Sequence, residues 1–125
     1  MRRIGIDFGT KRVGISLSDE NGTMAFPHGV FSNDGDLFKK VVALIEEKKV
    51  KEVVMGHSLD REGNPNKVHE AVESFITDLT LETGIPVHLE PEQSTTQEAM
   101  RIQGKNTMTD AAAATTILNN YLSRV

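Results

Sequence analysis

The chain has 125 residues, 38% hydrophobic and 26% charged, ordinary globular values that argue against disorder and suit one compact domain spanning residues 1–125. It has no cysteine, which excludes disulfides, thiolate metal sites and cysteine nucleophiles. A formal charge of −4 speaks against a generic nucleic-acid coat, yet an enzyme that gathers carboxylates around a divalent ion is expected to concentrate negative charge.

Met1 to Asp7 holds two arginines, but an acid interrupts its apolar stretch at once, so it reads as a first strand and not as a signal peptide. No apolar run nears the roughly 20 residues of a membrane helix. The expected address is cytoplasmic, with no membrane partner. Ile4, Ile6 and Phe8 alternate, as do Val13, Ile15 and Leu17, and Gly9-Thr10-Lys11 between them fits a hairpin. Asp19-Glu20-Asn21-Gly22 is a second turn, with Asn-Gly as its hairpin signal. Met24 to Phe31 follows as a third strand, and Pro27 places it at a sheet edge, because proline cannot donate to a ladder.

Ser32-Asn33-Asp34 offers capping side chains before a helix with Leu37, Phe38, Val41, Val42, Leu44 and Ile45 on its apolar face. Val53-Val54-Met55, ending at Gly56, has the look of a buried parallel strand, and His57 to Asn66 reads as a loop. Val68, Ala71, Val72, Phe75, Ile76 and Leu79 fall on one face of a second helix, stopped by Gly84 and Pro86. Val87-His88-Leu89 is a fifth strand leading into Glu90-Pro91-Glu92. A short helix is expected from near Thr95, with Glu98 completing a capping box, to Gly104. A last helix starts between Thr107 and Asp110 and runs past Leu118 to Leu122. The expected architecture is a mixed α/β domain, three antiparallel strands followed by two crossover-connected parallel strands in one five-stranded sheet flanked by helices.

Asp7 closes the first strand, where strand ends open toward ligands. Glu92 follows the last strand, and Asp110 opens a helix whose alanine-rich face permits close approach to the sheet. Three carboxylates from distant positions can therefore meet, and hard cations such as Mg²⁺ or Mn²⁺ prefer such oxygen ligands. Phosphodiester hydrolysis is the chemistry that uses the arrangement. Each acid also has a structural reading: Asp7 as a turn residue, Glu92 as an exposed loop acid, Asp110 as part of a helix cap. Composition and periodicity leave both readings open.

Ile4-Gly5-Ile6-Asp7-Phe8-Gly9-Thr10-Lys11-Arg12-Val13-Gly14 closely resembles the opening signature of the YqgF family, the RuvC-like Holliday junction resolvases and pre-16S rRNA nucleases. The resemblance continues at Val53 to Gly56, Asp60 to Gly63, Gly84 to Val87, Glu92 to Ala99 and Asp110 to Ala114, so it spans essentially the whole chain. It implies a ribonuclease-H-like fold with catalytic and metal-holding carboxylates at Asp7, Glu92 and Asp110, and Mg²⁺ or Mn²⁺ as the cofactor. It also implies action on branched DNA or on precursor ribosomal RNA. Lys11 and Arg12, in the first hairpin, would contact phosphate beside the metals; Arg61 and Lys67 would be further nucleic-acid contacts, and in a purely binding protein Arg101 and Lys105 would join these four as its basic contacts. Resolving a two-fold symmetric junction would call for a homodimer, whereas cutting an RNA end would not.

The chain departs from the family pattern where Pro91-Glu92-Gln93 replaces Asp-Glu-Arg, which removes a cation able to orient the Glu or touch phosphate. His57-Ser58-Leu59 stands where Leu-Pro is typical, and His57 is a candidate proton shuttle. Two rival readings follow from the sequence. One is a non-catalytic nucleic-acid-binding member of the same fold, acting in RNA processing or transcription. The other is ATP binding, because Asp7-Phe8-Gly9-Thr10 also resembles the first phosphate loop of the actin and sugar-kinase superfamily.

Overall fold

The computed structural model describes residues 1–9, 11–57, 67–91 and 107–123, without the side chains of His57, 67–69, Pro91 and 107–110. Its elements in chain order are β1 (Arg2–Phe8), β2 (Arg12–Ser18), β3 (Ala25–Ser32), α1 (Leu37–Lys48), β4 (Val50–His57), α2 (Lys67–Thr83), β5 (Val87–Pro91) and α3 (Thr107–Leu122). The strands form one five-stranded sheet in the order β3-β2-β1-β4-β5. β1, β2 and β3 pair antiparallel, while β4 and β5 join parallel to β1 through helical crossovers. That is the expected mixed topology, with Pro27 on an edge strand as its missing N–H requires.

Period-two patterning divides the side chains between two faces. Ile4, Ile6, Phe8, Val13, Ile15, Val53 and Met55 are buried on one face beneath Leu37, Val41, Leu44 and Ile45 of α1 and Val72, Phe75 and Leu79 of α2. Phe75 anchors α2 there, its ring 5.3 Å from Phe8 and 5.7 Å from Phe38. On the other face α3 is, among the described residues, the one helix, lying across β1, β2 and β3 and reaching β4, and it buries Ile117, Leu118 and Leu122 against Ala25 and Val54. No helix among the described residues is long and apolar enough to cross a membrane.

Several local expectations shift. The connection from β2 to β3 is wider than a two-residue Asn-Gly turn: the Asp19 carboxylate organises it by accepting from the Thr23 N–H and hydroxyl, each at 2.7 Å, and Gly22 takes φ 70°. Ser32-Asn33-Asp34 does not cap α1, because β3 runs on to pair Ser32 with Arg12. The N-cap is Asp36, without a side-chain capping bond, and the Asp34 carboxylate instead accepts the Asp36 N–H at 2.9 Å. Ala71, assigned to the apolar face of α2, is exposed, since the helix meets the sheet through Val72, Phe75 and Leu79. β4 extends on both sides of its apolar run, from Val50 to His57, and β5 reaches Pro91, so Glu90 belongs to a strand and not to the loop beyond it. The short helix expected between Thr95 and Gly104 lies outside the described residues.

Candidate active site

The α3 face of β1 carries Arg3, Gly5 and Asp7, and its middle position controls how closely the helix can approach. A Cβ on Gly5 would collide with Ser16 Oγ and would meet Leu118 Cβ at 2.8 Å and the Ala114 carbonyl oxygen at 2.9 Å. Ser16, opposite Gly5 on β2, is fully buried and donates its hydroxyl proton to that same carbonyl at 2.9 Å. Ala111, Ala113 and Ala114 are buried, so small side chains continue along the helix. Glycine against alanine lets α3 lie almost on the strand backbone.

The direction of α3 follows from these contacts. Arg3 lies over the ring of Tyr121, 5.9 Å from its centroid, whereas Gly5 meets Leu118 and Ala114, so α3 runs antiparallel to β1. Two residues of strand advance about 6.6 Å, which matches roughly four to five residues of helix. By that spacing the first turn of α3, which carries Asp110, is level with Asp7.

Across the sheet at that level runs a row of five residues, which begins with Val30 of β3 beside Gly14 of β2. Asp7 pairs with Gly14 of β2, and continuing the β1–β4 register from Ile6 and Met55 puts Gly56 on its other side. Gly56 in turn pairs with Glu90 of β5. Gly14 and Gly56 carry no side chain, so on β2, β1, β4 and β5 the only side chains in this row are two carboxylates. Asp7 is half-buried, while Glu90 is 1% exposed. Both lie on the α3 side, because Gly5 contacts α3 and His88, two residues before Glu90, stacks on Tyr121 with centroids 5.1 Å apart. Their Cα atoms stand about two strand spacings apart, roughly 10 Å.

A second cluster holds the other end of α3 to the sheet. Glu52 of β4 is contacted by Arg3 Nε at 3.3 Å, His88 Nε2 at 3.2 Å and the Tyr121 hydroxyl at 3.1 Å. Burial pushes the Glu52 carboxyl up, but the hydrogen bond and charge of Arg3, the Tyr121 hydroxyl and the charge of His88 outweigh it and hold it below the ordinary glutamate range. Burial, and then the bond to Glu52, raises the Tyr121 phenol. This network fixes the C-terminal half of α3 while Gly5 and Ser16 seat its middle.

Of the residues singled out in the sequence, Asp7 ends β1 in this row, and Asp110 lies on the first turn of α3, its side chain outside the described residues. Glu92 and Arg61 fall outside the described residues, as do Arg101 and Lys105. Lys67 opens α2 and His57 ends β4, both without described side chains. Lys11 and Arg12 are exposed at the tip of the β1–β2 hairpin, directly beyond Asp7. Among the described residues no three His, Asp or Glu side chains gather as a metal-binding group. The pair Asp7 and Glu90 nevertheless offers hard oxygen donors alone, a donor set suited to Mg²⁺ or Mn²⁺ and not to softer ions. Sequence reasoning passed over Glu90. Its signal was parity, for it lies two residues from His88 on one side of an extended strand.

Comparison with known proteins agrees with this architecture. In Thermus thermophilus RuvC, solved with a Holliday junction substrate, the matching chain superposes with a TM-score of 0.68 at 15% identity, covering 99% of this chain and 95% of that one. The fowlpox virus Holliday junction resolvase gives 0.60 at 13% identity, with all of both chains covered. These likenesses establish the ribonuclease-H-like fold. A protein of Lachnospira eligens named "Putative pre-16S rRNA nuclease" is 33% identical over 135 aligned positions, covering 98% of this chain and 96% of its own. The model of the family described as RuvX: Holliday junction resolvase matches residues 1–124, and the chain belongs to that family.

Proposed function

We propose that this protein is a divalent-metal-dependent nuclease that hydrolyses phosphodiester bonds in structured nucleic acid, with Asp7, Glu92 and Asp110 as its carboxylates. The observation that carries the reading is the stretch Gly14–Asp7–Gly56–Glu90 of that row, in which only a glycine stands between two carboxylates. Gly56, between the two carboxylates, brings no side chain of its own into the space that separates them. Asp7 supplies the central ligand, Asp110 on the first turn of α3 and Glu92, which follows β5 in the sequence, complete the set, and Glu90 adds a buried carboxylate at the far side.

Bound Mg²⁺ or Mn²⁺ would supply charge neutralisation and Lewis-acid activation at the scissile phosphate. The chain's own residues do the positioning. Cations sharing the site would balance the negative charge that Asp7 and Glu90 bring to it. Lys11 and Arg12, exposed beyond Asp7, meet the sugar-phosphate backbone as it crosses the strand ends. Seating α3 against Gly5 keeps the helix-borne carboxylate in register with the strand-borne ones. Distances between such groups decide rate, because a misplacement of ~1 Å can cost about 10²-fold.

The substrate reading favours precursor ribosomal RNA. A relative that is 33% identical carries a pre-16S rRNA nuclease name, whereas the Holliday junction enzymes share the fold at 13–15% identity. The test is cleavage of labelled precursor RNA, a four-way DNA junction and a plain duplex, with Mg²⁺ or Mn²⁺, beside Asp7→Asn. Cleavage of the RNA that disappears with Asp7→Asn and with chelator is the expected result. Cleavage of the junction alone, by a dimer, would transfer the activity to DNA. Binding without cleavage of any substrate would leave a non-catalytic nucleic-acid-binding protein and overturn the nuclease reading.

A further inference from the structure

Asn33 stands between β3 and α1, outside every motif that pointed to function, yet both ends of its residue reach the hairpin tip beyond Asp7. Its side-chain Nδ2 donates to the Gly9 carbonyl at 2.7 Å, across 24 residues of chain. Its backbone N–H donates to the Lys11 carbonyl at 2.9 Å. Within the hairpin, the Gly9 N–H donates to the Arg12 carbonyl at 3.0 Å. Gly9 has no freedom to carry a side chain there, since a Cβ would stand 2.5 Å from the Arg12 carbonyl oxygen.

We infer that Asn33 is a positioning residue for nucleic-acid binding, holding the Gly9–Arg12 tip so that Lys11 and Arg12 face a phosphate beside Asp7; this rests on the function proposed above. Two physical effects follow from its hydrogen bonds. First, the tip is tied on both sides to the chain segment that leads into α1, so Lys11 and Arg12 lose less conformational freedom when a phosphate binds. A surface lysine or arginine on an untethered tip must be ordered by its ligand, which weakens binding. Second, the carbonyl oxygens of Gly9 and Lys11 have their lone pairs directed to Asn33. An approaching phosphate then meets cationic side chains instead of acceptors that repel it. The amide is suited to the task because it donates to a carbonyl without bringing a charge; an aspartate of the same size could not donate and would add a negative charge.

The test measures equilibrium binding of labelled precursor RNA in an Asp7→Asn background, so that cleavage does not interfere, across a range of salt concentrations. Asn33→Ala is expected to weaken binding by about tenfold and to flatten the dependence of log affinity on log salt by roughly one phosphate contact. Lys11→Ala combined with Asn33→Ala should weaken binding less than the product of the two separate effects, because each acts through the same tip. Lys51→Ala, an exposed lysine on β4, serves as the control and should combine with Asn33→Ala additively. With Asp7 intact, Asn33→Ala should raise KM far more than it lowers kcat. Thermal unfolding is followed throughout; should Asn33→Ala fail to fold, Asn33→Leu keeps nearly the same volume and removes the donor without adding a charge, with the same binding defect expected.

A variant that melts earlier but keeps the salt slope and the KM of the wild type would assign Asn33 a purely structural role and overturn the inference while sparing the proposed function. Failure of the otherwise wild-type Asp7→Asn protein to bind any nucleic acid would overturn both.

Discussion

The hydroxyl of Ser16 donates to the carbonyl of Ala114 at 2.9 Å, fully buried and across 98 residues of chain, directly beside Gly5. The bond marks how closely α3 approaches the sheet, and the missing side chain at Gly5 is what permits that approach and so sets the height of the helix. Gly5→Ala would put a methyl group into Ser16, Leu118 and the helix backbone. Overpacking of this kind costs about 1–3 kcal/mol. The helix must also lift, so we expect nuclease activity to fall much further than the fraction of folded protein. Urea unfolding and cleavage rate, measured on the same preparation, check both.

Ser16→Ala removes the hydroxyl without adding bulk. The loss of one buried hydrogen bond should cost about 1 kcal/mol in urea unfolding. Because the helix can still approach Gly5, cleavage by the folded protein should remain within a few-fold of wild type. A collapse of activity equal to that of Gly5→Ala would show that the bond itself, and not the close approach, sets the site.

Glu90→Gln keeps the shape of a buried side chain and removes its charge. If the row at Asp7 shares a divalent ion with Glu90, the Mg²⁺ concentration for half-maximal cleavage should rise by about 10–100-fold, the scale seen when groups supporting a metal are lost. Rate at saturating metal should recover most of its wild-type value. An unchanged metal requirement would remove Glu90 from the site.

Glu52 gives the fold an acid-sensitive contribution. Its folded-state pKa lies below the ordinary value of 4.5, with Arg3, Tyr121 and His88 outweighing the opposing cost of burial. A carboxyl lowered on folding stabilises the native state above its unfolded pKa, and that stabilisation is lost as pH falls through the lowered value. Wild type should therefore exceed Glu52→Gln in stability at about pH 7, and the difference should shrink toward about pH 3. Urea midpoints of both proteins across that range provide the measurement; a pH-independent difference would mean that ionisation of Glu52 plays no part.

Phe75→Ala should be the most destabilising of these changes, at about 3–5 kcal/mol, because it empties the contact between α2, Phe8 and Phe38. Denaturant unfolding reads that loss directly. The α3 side of the sheet does not contain Phe75, so activity per folded molecule should change little.

Much of this molecule was written locally. Alternation at Ile4, Ile6 and Phe8 and at Val13, Ile15 and Leu17 fixed strands and their inward faces, since extended backbone sends successive side chains to opposite sides. Helical spacing at Leu37, Val41, Leu44 and Ile45, and at Val72, Phe75 and Leu79, fixed both helices of the other layer. Asp7 stood out because an acid closing a buried strand before a glycine is unusual in its own surroundings. The alanines after Asp110 announced a helix that must come close to something.

Tertiary structure alone decided what that something was and which polar groups would meet. Parity places Glu90 and His88 on one side of β5, but only the register between strands sets Glu90 beside Gly56 and two strands from Asp7. Asn33 looked like a helix cap, since its sequence neighbours favour one. The folded chain offered it the Gly9 carbonyl instead, once β3 had extended past the expected stop. Glu52, which no motif singled out, is surrounded by Arg3, His88 and Tyr121 from three other elements. The physical reason is common to all three. Backbone periodicity is set by residues a few positions apart, whereas a buried polar side chain takes its partner from whatever the packing brings within hydrogen-bond reach.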